Sequence, residues 1–186
     1  MNKVRLDAFQ NTWYKPGKSF AIRILWYYMN LLFLNSGWLP SSAIKVHILR
    51  LFGAKIGKGV IMKPYVNIKY PWHLHIGNHC WIGENVWIDN LTSVHIGNHV
   101  CISQGAMLLT GNHNYKDPAF GLIIGKITLE DGVWIGAQSC VCPGVTCNQE
   151  SVLSVQSVAN TDLLAGSIYQ GNPAVIKKMR DINIQQ

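Results

Sequence analysis

Charge is scarce in this chain of 186 residues: Asp, Glu, Lys and Arg make up 13% of it, against 48% hydrophobic residues. A soluble domain usually carries about a quarter charged residues, so part of the apolar surface is expected to be covered by partner subunits or a membrane. Acid is scarcest in residues 1–58, where Asp7 stands alone against nine Lys or Arg. That half should seek an anionic surface. Its cations are interleaved with an apolar run rather than with a nucleic-acid-binding motif, which argues against DNA or RNA. Also missing is an apolar stretch of the roughly 20 residues a membrane span needs; the run over 18–34 is interrupted by Arg23 and Asn30. The five cysteines, Cys80, Cys101, Cys140, Cys142 and Cys147, form no CxxC pair, and no signal peptide precedes them. These absences point to reduced thiols and a cytoplasmic protein.

What the chain does have is a hexad. Ile76-Gly77-Asn78-His79-Cys80-Trp81 is followed by Ile82-Gly83-Glu84-Asn85-Val86-Trp87, and the pattern resumes at Leu129, Ile135, Val141, Cys147 and Leu153. Six is a multiple of two, so positions 1 and 5 of each unit face the same side of a short strand, while the Gly, Asn and Asp between units let the chain turn. Ile76-Gly77-Asn78-His79 recurs as Ile96-Gly97-Asn98-His99. Residues so spaced become vertical neighbours in a solenoid whose stacked coils share one core. The fold expected is an all-β solenoid with a helical N-terminal arm.

Residues 1–17 read as a packing arm with a turn at Lys15-Pro16-Gly17, and 18–34 as a helix apolar almost all round, with Trp26, Tyr27 and Tyr28. Composition leaves two sites open for that helix, the bilayer interface through residues 18–35 or a solenoid wall. A second helix, capped by Ser41 or Ser42 and ending near Gly53, should cover the exposed strand edge of the first coil. The parts are thus an N-terminal arm (1–53), a repeat body (54–174) with a loop protruding at 112–126, and a basic C-terminal helix and tail (175–186).

His113 stands where the period fails, so its side chain can leave the coil wall, and its imidazole can take a proton near neutral pH. Acidic helpers are few: Glu84, Asp89 and Asp117, with Asp89 preferred because Asp89-Asn90 replaces the usual hexad turn. His75 and His95, and likewise His79 and His99, should form ladders beside one turn. Four imidazoles could hold zinc, but repeating polar turn positions explain them without a metal, and none is expected.

Together, Leu51-Phe52-Gly53-Ala54-Lys55-Ile56-Gly57, Tyr70-Pro71-Trp72, Trp81-Ile82-Gly83-Glu84, Ile102-Ser103-Gln104, Thr110-Gly111-Asn112-His113, Val133-Trp134-Ile135-Gly136-Ala137, Pro143-Gly144-Val145 and Gly171-Asn172-Pro173-Ala174 resemble the hexapeptide-repeat acyltransferases, and more closely the O-acetyltransferases of exopolysaccharide synthesis. The resemblance implies a left-handed parallel β-helix, a homotrimer with active sites between subunits, and acetyl-CoA as donor to a sugar hydroxyl; the basic, apolar composition of the N-terminal arm suits a lipid-linked saccharide acceptor at the cytoplasmic membrane face. His113 would be the general base. Trp134, Gly136, Ala137, Val155 and Asn160 would line the donor groove, a Gly136-Ala137 amide would hold the oxyanion, and Lys177, Lys178 and Arg180 would meet the CoA phosphates. Acceptor contacts would come from Glu84, Asn90, Tyr115 and Phe120. Two other classes keep the solenoid: a zinc-dependent hydratase of the γ-carbonic-anhydrase type, and a non-catalytic assembly protein.

Overall fold

The computed structural model describes residues 3–182 as a parallel β-solenoid of about six turns behind N-terminal helices. Three parallel sheets form its walls. The first contains Lys55–Ile56, Leu74–Ile76, Val94–Ile96, Ile127–Leu129 and Thr146–Cys147; the second runs from Ile61–Met62 through Trp81–Ile82, Cys101–Ile102, Trp134–Ile135 and Val152–Leu153; the third holds Asn67–Ile68, Trp87–Asp89, Met107–Leu109, Cys140–Val141 and Val158–Ala159. Register follows the repeat: Ile56 pairs with Ile76, Ile76 with Ile96, Ile96 with Leu129 and Leu129 with Cys147. The leading aliphatics and their inner partners, including Ser139, Ser151 and Ser157, are all buried. Burial pushes the Cys147 thiol up to about 12, so it serves as a small core residue and not as a nucleophile.

The first coil has no coil beneath it, and its edge strands must find other hydrogen-bond partners. Helix α1 (Phe20–Met29), capped by Ser19, and helix α2 (Ser42–Leu51), capped by Ser41, supply them. Trp26 Nε1 donates to the Ile68 carbonyl at 2.9 Å. The backbone after Met29 loosens into a π-helical turn, Asn30–Leu34, and Asn30 Oδ1 accepts from the Ile68 amide at 3.2 Å. Ser42 Oγ serves both the amide and the carbonyl of Met62. Lys45 is fully buried and donates to the Lys63 carbonyl at 2.9 Å; burial holds its ammonium below the ordinary lysine range. Arg50 reaches the carbonyls of Ile56 and Gly57. Of the two sites open for the first helix, its Trp26 face takes the solenoid, while Phe20, Ile24, Leu25, Tyr27, Tyr28, Leu31 and Leu32 stay exposed.

The protrusion after Thr110 is an antiparallel hairpin, Gly111–His113 paired with Leu122–Ile124. The N-terminal arm lies against it. Arg5 N donates to the Pro118 carbonyl, Tyr14 Oη to the Leu91 carbonyl and Trp72 Nε1 to the Pro16 carbonyl.

The expected C-terminal helix is corrected. Ser167–Gly171 extends the second sheet, the turn at Asn172-Pro173 reverses the chain, and Ala174–Met179 returns antiparallel to it. Gly171 holds φ +108°, a value that suits glycine and suits a hairpin turn better than a helix start. The β-branched Val175 and Ile176 then favour strand over helix. The last residues of the expected tail, 183–186, lie outside the described residues.

Candidate active site

His113 is fixed on three sides by its own hairpin and by the arm. Phe120 stacks on the imidazole, with centroids 4.6 Å apart and planes 13° from parallel, and Phe9 packs edge-on at 5.6 Å. His113 Nδ1 lies 2.8 Å from the Phe120 carbonyl. A carbonyl only accepts, so Nδ1 carries the proton, and in the neutral imidazole Nε2 is then left with its lone pair, the form a general base requires. Phe120 is held in the left-handed region at φ 54°, a strained conformation for a bulky residue. Asp117 stabilises that turn by accepting from the amides of Ala119 at 3.0 Å and Gly121 at 3.2 Å. A backbone carbonyl thus orients the imidazole, with Asp117 acting through the turn. Asp89, the helper preferred from sequence, lies 2.8 Å from Lys69 Nζ.

The cavity at His113, about 480 Å³, is also lined by Phe9, Asn11, Tyr14, Arg23, Lys69, Tyr70 and Leu122. Of these, only Tyr70 belonged to a motif noted in the sequence. Burial, assisted by Tyr70 and Asp89 and opposed by Arg23, pushes the Tyr14 phenol well above its ordinary range. It therefore stays protonated and donates to Leu91. A second cavity of similar size, under α1, shares Arg23, Lys69 and Tyr70 and adds Asp89.

Other candidates lie elsewhere. Gly136 and Ala137 sit at the corner between the second and third sheets, whereas the His113 hairpin leaves the corner between the third and first. Gly136 N donates to the Leu153 carbonyl at 2.7 Å, while Ala137 N has no hydrogen-bond partner among the described residues. Val155 is exposed and stacks directly on Gly136, where an added Cβ would sit 2.6 Å from Val155 N. Trp134 is half exposed, gives its Nε1 to Ser103 Oγ at 2.9 Å, and stands in one row with Val152, Ile168 and Lys178. Lys177 and Lys178 are exposed. Arg180 instead turns back to the Gly132 and Glu150 carbonyls and the Glu150 carboxylate. Asn160 is exposed just beyond Val158–Ala159. Glu84 shares the Gly136 corner, away from the hairpin. Tyr115 is exposed at the hairpin tip.

Asn90 is corrected as an acceptor contact. It is fully buried, its Oδ1 accepts from the Tyr70 amide and its Nδ2 donates to the Tyr70 carbonyl, so it is a rung of the solenoid. The histidine ladders form as the period requires: His75 stacks on His95 at 4.3 Å and His79 on His99 at 5.4 Å. Among the described residues, no three or more His, Cys, Asp or Glu side chains converge on one point.

Coils built of hexads define the hexapeptide-repeat class of β-solenoids, and here they are interrupted by a hairpin that carries a held histidine. The chain is 33% identical over 169 residues to WcaF of Escherichia coli (strain K12), named as a colanic acid biosynthesis acetyltransferase, with 90% of this chain and 91% of that one covered. It therefore belongs to the hexapeptide-repeat acetyltransferases. The galactoside O-acetyltransferase of Escherichia coli (strain K12) is 29% identical over 132 residues, 69% of this chain and 65% of that one. Among solved structures, the hexapeptide-repeat acetyltransferase VCA0836 of Vibrio cholerae superposes with a TM-score of 0.78 at 26% identity, covering 87% of this chain and 92% of that one. That protein has also been solved with acetyl-CoA, and that form superposes at 0.77 with 88% of it covered. No family model matches the chain.

Proposed function

We propose that the protein transfers an acetyl group from acetyl-CoA to a sugar hydroxyl of a polysaccharide precursor, with His113 as general base. The observation that carries this is the Phe120 carbonyl at Nδ1, which leaves Nε2 as the basic nitrogen of a residue that lines a cavity of polar and aromatic side chains. Nε2 takes the hydroxyl proton as the oxygen attacks the thioester carbonyl. The tetrahedral oxyanion is held by the Ala137 N–H, the free amide of the pair expected there. The carbon–sulfur bond then breaks, and the imidazolium returns its proton to the CoA thiolate, giving an acetyl ester and free CoA.

His113 and Ala137 occupy different corners of one chain. A homotrimer that sets the hairpin of one copy against the Ala137 corner of the next brings base and donor together, and the donor-bound relative supports acetyl-CoA as the group placed there. The donor passes Val155, runs along the wall bearing Trp134, and meets Lys178, with Lys177 beside it. The exposed apolar face of α1 and the basic N-terminal half suit attachment to the cytoplasmic face of a membrane carrying a lipid-linked saccharide. Calorimetric titration with acetyl-CoA tests the donor. Lys178→Ala should weaken binding about tenfold by removing one charge-assisted phosphate contact. Arg180→Ala, whose partners lie within the solenoid, should lower the unfolding temperature more than the affinity. Absence of acetyl-CoA binding in the wild type would refute the proposal.

A further inference from the structure

Resting on the acetyl-transfer reading, we infer that the acceptor is a saccharide joined through a phosphate to a hydrocarbon chain. Its sugar lies at His113, its phosphate at Arg23 and Lys69, and the start of its chain under α1. Two cavities of about 480 Å³ each adjoin at shared walls, Arg23, Lys69 and Tyr70, and we take the pair as the two halves of one cleft. One end holds His113 and the other runs under α1, where Ile24, Tyr27, Leu31 and Trp87 present exposed apolar surface. The middle is cationic. Asp89, an acid lining it, lies 2.8 Å from Lys69 Nζ, which leaves the Arg23 charge without a carboxylate partner among the described residues.

Arg23 is also strained for partners. Its Nε is buried with no hydrogen bond, while the guanidinium sits 5.7 Å from the Phe20 ring centroid. Leaving such a donor unmatched in a partly dry site is costly, and an anion entering the cleft removes the cost. The order along the cleft, base then cations then apolar wall, matches the order sugar, phosphate, hydrocarbon. Beyond the cleft the chain emerges on the outer face of α1 and of the π-helical turn that follows it, where Leu25, Tyr28 and Leu32 are exposed. That exit is where a lipid tail must return to a bilayer, and the excess of cations in residues 1–58 draws this face to an anionic surface.

The test is calorimetric titration with geranyl diphosphate, a sugar-free probe carrying the phosphate and the chain, beside inorganic pyrophosphate, geraniol and glucuronate. Geranyl diphosphate should bind at least about tenfold more tightly than either half alone, because both ends of the cleft are engaged. Arg23→Gln should weaken it about tenfold or more, and Arg23→Lys should recover part of the loss. Leu31→Asn should weaken geranyl diphosphate while leaving pyrophosphate unchanged. Acetyl-CoA affinity, measured on the same samples, should be unaltered in all three variants, which shows that they are folded. Geranyl diphosphate binding no tighter than pyrophosphate would overturn the hydrocarbon assignment. Tighter binding of glucuronate, sensitive to Arg23→Gln, would overturn the phosphate in favour of a sugar carboxylate. Wild-type affinity in Arg23→Gln would overturn the site. If acetyl-CoA binds and geranyl diphosphate does not, this inference fails alone; if the probe binds and acetyl-CoA does not, the transferase reading fails and the lipid-phosphate site stands.

Discussion

Asp117→Ala should disorder the tautomer of His113 without touching it. In the native turn the Asp117 carboxylate accepts from Ala119 N at 3.0 Å and Gly121 N at 3.2 Å, and between these residues Phe120 is held at φ 54° with its carbonyl 2.8 Å from His113 Nδ1. Each hydrogen bond is worth about 1 kcal/mol in a half-exposed turn, so losing both releases about 2 kcal/mol of restraint on a strained residue. If all of it goes into freeing the carbonyl, the ratio of Nδ1-protonated to Nε2-protonated imidazole falls by up to about thirtyfold. Asp117→Asn keeps one acceptor and should lose about fivefold at most. Nitrogen NMR on histidine-labelled protein reads the tautomer directly and needs no acceptor, with His113→Gln assigning the signal. The wild type should show one tautomer, protonated at Nδ1, and Asp117→Ala a mixture. A wild-type His113 protonated at Nε2, or an unchanged signal in Asp117→Ala, would refute the argument that the turn sets the base.

The edge caps and the histidine ladder make further predictions. Trp26→Phe keeps the packing but strands the buried Ile68 carbonyl that Trp26 Nε1 reaches at 2.9 Å; it should cost about 1–3 kcal/mol, a fall of roughly 2–4 °C per kcal/mol in thermal unfolding, and no fall would show that the carbonyl finds another donor. Burial lowers the pKa of His73 and, with help from His95 and Lys55, that of His75. The unfolded chain protonates both below about pH 6.5 while the fold resists, so stability should be level above that pH and decline as pH falls toward the folded values. Thermal unfolding compared between about pH 7.5 and about pH 5.5 measures the decline, which His75→Asn should reduce; an identical decline in the variant would assign it to other groups.

The solenoid was legible in the sequence because parity constrains it: a hexad that buries positions 1 and 5 has few other ways to fold. The 20-residue recurrence even set the pairing of His75 with His95. Position 90 was harder. A polar residue in a hexad turn looks available, and only the neighbouring coil reveals that Asn90 hydrogen-bonds the backbone of Tyr70. The C-terminal segment misled because Lys177, Lys178 and Arg180 suggest a basic helix face, whereas Val175, Ile176 and the Gly171 turn decide for a strand. The orienter of His113 was invisible for another reason: the group is a backbone carbonyl, and no side-chain identity announces it. Tyr14 enters the site through a hydrogen bond to Leu91 and Arg23 lines it together with Lys69, partners more than forty positions away, so neither periodicity nor local spacing could place them.

The most direct measurement is the transfer of radiolabelled acetyl from acetyl-CoA to extracted saccharide lipids, by wild type and by His113→Ala. The account predicts labelled ester with the wild type and at least about a hundredfold less with His113→Ala, the usual worth of a positioned base, at unchanged acetyl-CoA affinity. Equal transfer by the two proteins would contradict it.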